Sequence, residues 1–148
     1  MVTFVCGMPC VGKSTYIKNN FNNIETMDIF DYQNKHGFCS TVDVLKGYEQ
    51  AKIDLVKKAL QGDIVIEHTL LKKIRRLEQI KNLRDNGYAG EIHLIFINPP
   101  KSIHSKRLLM RDFKKHEIDD FRKMHLDIME LPEENDNEGF DSILIVEE

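Results

Sequence analysis

Short apolar segments alternate along the chain with longer segments in which apolar residues recur at helical spacing. The apolar segments predict buried strands, because each is a compact run bounded by turn-forming or polar residues. They cover Val2–Cys6, 63–67, Ile92–Ile97 and Ser142–Val146, and a weaker strand is predicted at 24–28. Strands that alternate with helices are typical of a parallel sheet covered by helices. We therefore predict an α/β fold, a three-layer α/β/α domain with five mostly parallel strands.

Helical periodicity predicts the elements between these strands. The predicted helices cover 13–21, 42–60, a segment ending near Asn86, a basic segment after Pro100, and a shorter one that ends before Pro132. The helix at 42–60 has an apolar face formed by Val44, Leu45, Tyr48, Ala51, Leu55, Val56 and Ala59. Two later helices also show one. That face consists of Ile74, Leu77, Ile80 and Leu83 in the third helix, and of Ile118, Phe121, Met124, His125 and Ile128 in the last.

Composition narrows the class of protein. A length of 148 residues predicts one domain, spanning 1–148, and 41% apolar with 30% charged residues excludes collagen-like and disordered chains. The 21 basic and 24 acidic residues give a net charge of −3, so a contact with nucleic acid must be local. Three cysteines without a Cys-x-x-Cys pair, and no apolar run long enough for a membrane span, predict a cytoplasmic protein without membrane contact.

The strongest motif follows the first predicted strand directly. Residues 7–14, Gly-Met-Pro-Cys-Val-Gly-Lys-Ser, match G-x-x-x-x-G-K-[ST] and lead into a predicted helix. Glycines let the backbone N–H groups point at phosphate oxygens, the lysine reaches the outer phosphates, and the serine hydroxyl ligates Mg²⁺. We therefore predict that the chain binds ATP with Mg²⁺, and that Ser14 is a metal ligand. The predicted ATP-binding residues are Gly7, Met8, Pro9, Cys10, Val11, Gly12, Lys13, Ser14 and Thr15.

Among nucleotide-binding proteins, a small kinase fits this chain best. It lacks the Asn-Lys-x-Asp tetrapeptide that reads guanine, and it is short for a motor. A kinase needs, besides the loop, a carboxylate near the acceptor hydroxyl and arginines that stabilise the transferring phosphoryl group. Candidates for both are present in the sequence.

The stretch 26–31, Thr-Met-Asp-Ile-Phe-Asp, resembles that of the P-loop kinases of the 5′-hydroxyl polynucleotide kinase type, in which an aspartate follows the second strand. The resemblance implies that Asp28 is the general base. Asp31 stands where the family has an arginine that binds the acceptor. Asp28 could instead cap a helix or a turn, and Asp31 and Glu67 are the next candidates for the base.

A second likeness to the same family lies in the predicted lid, at about 104–118. Arg107 and Arg111 are spaced i, i+4, which places both on one face of a helix, and the family has lid arginines that close over the ATP phosphates. The segment 118–124 also resembles the family's segment after the lid. The resemblance implies that Lys13, Asp28, Arg107 and Arg111 are the catalytic residues.

The acceptor side matches the family less well. Thr69 matches a family run that lines the acceptor, whereas His68 and Leu70 depart from it. Basic residues then follow, and they could bind an acceptor phosphate or form the solvated face of a helix. The predicted substrate-binding residues are Asp31, His68, Thr69, Arg75 and Arg76, and Glu67 could support Mg²⁺ through water.

These features predict an ATP-dependent kinase with strand order 2-3-1-4-5 and its ligands over the carboxyl ends of the strands. The first-choice acceptor is a 5′-hydroxyl polynucleotide end. The alternatives are a small-molecule kinase, acting on a nucleoside, sugar or antibiotic, and a non-catalytic ATP-binding module that binds a protein partner.

Overall fold

The computed structural model of the protein describes residues 1–34, 41–133 and 136–148. Its strands are β1 (Val2–Cys6), β2 (Glu25–Asp28), β3 (Ile64–Glu67), β4 (Ile92–Ile97) and β5 (Ser142–Val146). Its helices are α1 (Lys13–Asn20), α2 (Ile29–Asn34), α3 (Thr41–Gln61), α4 (Lys73–Asp85), α5 (Lys101–Leu109) and α6 (Lys115–Leu126). The predicted bounds of β1, β4 and β5 agree with these strands, whereas α2 was not predicted.

The five strands form one sheet in the order β2-β3-β1-β4-β5, with every neighbouring pair parallel. The predicted order is therefore confirmed. In the centre, Val2 lies opposite Ile64 on one side and Ile92 on the other. All five residues of β1 are buried, as expected for a central strand with helices on both faces of the sheet. The carboxyl ends of the strands, where β1 leads into residues 7–14, lie along one edge.

The buried face of α4 differs from the predicted one. Ile74 is 58% exposed, whereas Arg76 is fully buried and Gln79 is 7% exposed. The physical reason for the burial of Arg76 is an ion pair with Glu138, whose oxygens accept bonds of 2.7 and 2.8 Å from the guanidinium group. Leu83 alone of the predicted apolar face is fully buried.

In the last helix, α6, the buried face also differs from the predicted one. Ile118 is buried as predicted, but Met124 is 60% exposed, and Arg122 lies inside at 8% exposure. In both helices the buried side therefore includes an arginine that lies outside the predicted apolar face. Among the described helices, none has the length and apolar character that a membrane crossing requires.

Candidate active site

The loop between β1 and α1 has the curved backbone that its glycines predict. Gly7 has φ of +143°, and a Cβ atom there would lie 2.5 Å from the carbonyl oxygen of Ile97. Gly12 has φ of +102° and directly precedes α1. Both positions therefore require glycine. The loop ends at the amino terminus of α1, where free N–H groups and the helix dipole favour a bound anion.

The lysine of the motif bonds to carbonyls of the phosphate loop, and the serine bonds to a neighbouring carboxylate. The Nζ atom of Lys13, which is buried, donates to the carbonyls of Gly7 and Met8 at 3.1 and 2.9 Å. Burial lowers the pKa of Lys13, and the nearby Glu67 opposes that shift. The Oγ atom of Ser14 lies 2.8 and 2.9 Å from the two carboxylate oxygens of Glu67. The predicted metal ligand is thus held beside a carboxylate.

Two carboxylates meet at the ends of β2 and β3. Asp28 lies opposite Glu67 in the strand register, and both line a recess of about 340 Å³ together with Ser14. Burial raises the pKa of each carboxyl, and the charge of Asp31 adds to the shift in both. Asp28 also accepts a bond of 2.8 Å from the N–H of Phe30 through Oδ1. One oxygen therefore caps α2, and Oδ2 has no hydrogen-bond partner among the described residues.

The two predicted lid arginines occupy different places. Arg107 reaches the loop, where its Nη1 donates to the carbonyl of Val11, and a Cβ atom on Gly12 would lie 3.1 Å from that nitrogen. Arg111 is exposed and lies in the turn after α5, which ends at Leu109. The i, i+4 spacing therefore does not place both on one helix, because the helix ends between them.

A buried histidine that was not predicted as a site residue also contacts the loop. His104 of α5 is fully buried, and its Nε2 lies 2.9 Å from the carbonyl of Pro9. Its Nδ1 lies 2.5 Å from Nη1 of Arg122. Because the arginine can only donate, Nδ1 accepts and the ring proton is on Nε2, bonded to Pro9. These two bonds connect α5 and α6 to the phosphate loop.

Comparisons with known proteins bear on the fold. No family model matches the chain, and no curated protein matches it in sequence. Solved structures do match, over 99% of this chain. A gluconokinase from Sinorhizobium meliloti is 15% identical with 81% of that chain covered and a TM-score of 0.64. A kinase candidate from Chloroflexus aurantiacus is 12% identical, with 86% covered and a TM-score of 0.73. A structure from the PezAT toxin–antitoxin system of Streptococcus pneumoniae is 22% identical, with 67% covered and a TM-score of 0.62.

The protein has the fold of the P-loop kinases. In this P-loop kinase fold, the structure brings together Lys13, Ser14, Asp28, Glu67 and Arg107 around the carboxyl ends of β1, β2 and β3. The likeness to solved structures does not single out the polynucleotide kinase type, which stays a prediction.

The predicted acceptor residues lie in three different places. His68, Thr69 and Arg75 line a cavity of about 400 Å³ between α3 and α4. Asp31 lies in the first turn of α2 and is exposed. Arg76 is elsewhere: besides its ion pair, its Nη1 donates to the carbonyls of Leu70 and Leu71 at 3.0 and 3.2 Å.

The substrate-binding role predicted for Arg76 therefore has to be revised. Its side chain is fully buried, and its guanidinium group donates hydrogen bonds to the Glu138 carboxylate and to two backbone carbonyls. A guanidinium group in that position cannot reach a ligand in the cavity, but it fixes the backbone of the loop that lines it. Leu70, in this loop, has φ of +41°, a conformation that a leucine adopts only where its surroundings hold it.

Proposed function

We propose that this protein is an ATP-dependent kinase that transfers the γ-phosphoryl group of ATP to an acceptor hydroxyl. The observation that carries the proposal is the phosphate loop with Lys13 and Ser14 beside two partly buried carboxylates, Asp28 and Glu67. A phosphoryl transferase needs this combination of an anion site, a metal site and a base.

The residues present fit ATP and Mg²⁺. The loop N–H groups and Lys13 would hold the phosphates, while Ser14 would ligate Mg²⁺ with Glu67 supporting it through water. Mg²⁺ would neutralise part of the charge of the phosphates. Among the described residues, no cluster of three His, Cys, Asp or Glu side chains could hold a metal.

Asp28 is the proposed general base. It takes the proton of the acceptor hydroxyl through Oδ2 while the new O–P bond forms and the bond between the γ-phosphorus and the bridging oxygen breaks, which leaves ADP. Its raised pKa brings it closer to neutral pH and so makes it a better base. Arg107, together with Arg111 if the turn after α5 closes over the nucleotide, neutralises the charge of the transferring group.

Two acceptor classes are proposed. The resemblance at Asp28 and the lid favours a 5′-hydroxyl polynucleotide end. The cavity beside His68, and the net charge of −3, favour a small molecule. We prefer the small molecule, because the cavity adjoins the phosphate loop through a bond from the Gly7 N–H to the Thr69 carbonyl.

The test is transfer of label from γ-labelled ATP, with Mg²⁺, to a panel of 5′-hydroxyl oligonucleotides, nucleosides and sugars. Asp28→Asn should lower the single-turnover rate by about 10²- to 10⁴-fold with an unchanged dissociation constant for ATP. Asparagine caps helices as well as aspartate does, so this change removes the base and keeps the cap. Asp85→Asn, on the surface of α4, is the matched control.

A wild-type rate in the Asp28→Asn variant would reduce Asp28 to a capping residue. Label that enters no acceptor while ATP still binds would instead favour a binding module that does not transfer phosphate.

A further inference from the structure

The cavity between α3 and α4 contains polar groups that have no hydrogen-bond partner among the residues that the structure describes. It has a volume of about 400 Å³, near the lower end of the range for small-molecule sites, about 300 to 1,000 Å³. Its apolar wall includes Leu45, Tyr48 and Ile128. Its floor is the loop after β3, and the Thr69 carbonyl of that loop accepts a bond of 3.2 Å from the Gly7 N–H. A ligand here would therefore lie next to the phosphate loop.

Gln79 is the first of these polar groups. Its side chain is only 7% exposed, lines the cavity and forms no hydrogen bond with any residue that the structure describes. A buried amide without partners costs about 1–3 kcal/mol, and most buried polar groups in proteins are paired. An amide placed at a cavity wall in this way indicates a ligand that both accepts and donates hydrogen bonds.

His68 supplies a second group with a defined character. It is 8% exposed, and its Nδ1 accepts a bond of 2.8 Å from the Thr69 N–H. The proton is therefore on Nε2, which is a donor without a hydrogen-bond partner in the described part of the chain. Burial, together with the charge of Lys13, lowers the pKa of His68 to about 4, so the ring is neutral at pH 7. The side chain of Thr69 also lines the cavity, and its hydroxyl can both donate and accept.

The charges around the cavity largely balance one another. Lys52 lies 3.4 Å from Glu49, and Arg75 lies 3.0 Å from Glu78. Lys72, the remaining charged residue of the lining, is exposed. The buried part of the wall thus offers neutral hydrogen-bonding groups and the ring of Tyr48, which lies 5.9 Å from that of His68.

We propose that this cavity binds a small uncharged polyhydroxyl compound, a sugar or cyclic polyol, through His68, Thr69 and Gln79. Hydroxyl groups suit these partners because each can donate and accept, and the apolar face of a sugar ring suits Tyr48. The role of this compound as the phosphoryl acceptor rests on the proposed function, whereas its binding does not.

The experiment is calorimetric titration of the full chain, with and without a non-hydrolysable ATP analogue. The probes are glucose and myo-inositol, their charged counterparts gluconate and glucuronate, and adenosine. We expect a neutral polyol to bind at least ten-fold more tightly than the charged compounds and adenosine. Gln79→Leu and Thr69→Val should each weaken that binding at least ten-fold, with the ATP dissociation constant changed less than two-fold. Gln61→Leu, at the exposed end of α3, is the control and should change neither.

Thermal unfolding separates a ligand-binding role from a structural one. Without ligand, Gln79→Leu should unfold at the wild-type temperature or above it, because the change removes a buried amide that has no partner. A lowered unfolding temperature, tighter binding of gluconate or adenosine, binding of none of the probes, or wild-type polyol affinity in both variants would overturn the proposal.

The two proposals fail differently. If a polyol binds in a manner that depends on Gln79 but no label is transferred to any acceptor, the kinase proposal fails and the binding site stands. If label enters an acceptor whose KM is unchanged by Gln79→Leu, the kinase proposal stands and the role of this cavity as the acceptor site is overturned, while the titrations alone decide whether it binds a polyol.

Discussion

Replacing Glu138 by glutamine tests whether Arg76 serves the fold or the substrate. The change keeps the size of the side chain and removes its charge. In the wild type the guanidinium of Arg76 is fully buried and forms two bonds, of 2.7 and 2.8 Å, with the carboxylate, whose side chain is 3% exposed. Glutamine would leave a buried positive charge with only neutral acceptors around it.

The magnitude follows from this burial. Breaking a buried ion pair from one side costs about 3–5 kcal/mol, because the remaining charge is uncompensated. The free energy of unfolding of a domain is about 5–15 kcal/mol, so this loss is a large fraction of it. At about 2–4 °C per kcal/mol for this chain length, Glu138→Gln should lower the unfolding temperature by roughly 6 to 20 °C.

The assay is urea and thermal unfolding followed by circular dichroism. Arg76→Met combined with Glu138→Leu should recover part of the loss, since an apolar pair leaves no buried charge, although the carbonyls of Leu70 and Leu71 lose their donor. Asp85→Asn, which removes an exposed ion pair with Lys81, is the control and should not shift the curve measurably. Wild-type stability of Glu138→Gln, with a raised acceptor KM in Arg76→Met, would refute our reasoning and restore Arg76 as a substrate residue.

Three further predictions concern the site. Lys13→Ala should abolish label transfer while circular dichroism shows an intact fold, since within the described part of the chain Nζ bonds only carbonyls of the loop itself; measurable transfer would contradict it. Arg111→Lys should lower turnover in single-turnover assays, because an ammonium group cannot span two phosphoryl oxygens, and an unchanged rate would remove Arg111 from the site. Finally, His68 has a pKa of about 4 when folded and about 6.5 when unfolded, so the unfolded state binds more protons between these values. The free energy of unfolding should therefore fall as the pH is lowered from 6.5 toward 4, by up to about 3 kcal/mol. Urea midpoints that fall equally in wild type and His68→Asn would contradict this.

The strands were predictable because a strand that is buried on both faces consists mostly of consecutive apolar residues. Val2–Cys6 and Ile92–Ile97 are runs of mostly apolar residues, and their bounds agree with the structure. The phosphate loop was equally predictable, since its chemistry depends on residues adjacent in the chain. Helix α2, by contrast, has only six residues, which is too short for a periodic pattern to emerge.

The interior polar residues could not be predicted in the same way, because their partners are distant in sequence. Arg76 is paired with a carboxylate 62 positions later, so nothing near it marks it as buried. His104 showed no metal-ligand spacing, and its partners are a carbonyl and an arginine of other elements. For Arg122, the likeness of 118–124 to a kinase segment was a signal, but it did not indicate the contact with His104.

The bond from His104 to the Pro9 carbonyl spans 95 residues of the chain, and this has a consequence for protein synthesis. The ribosome releases the amino-terminal segment first, so the phosphate loop emerges long before the segments that fix it. Until residue 97 has emerged, β1 lacks one of its two neighbours in the sheet. A nascent chain can therefore display the whole nucleotide-binding motif and still have no ordered anion site. Cellular ATP, which stabilises only the form that binds it, can favour folding of this domain only after β4 and α5 have emerged.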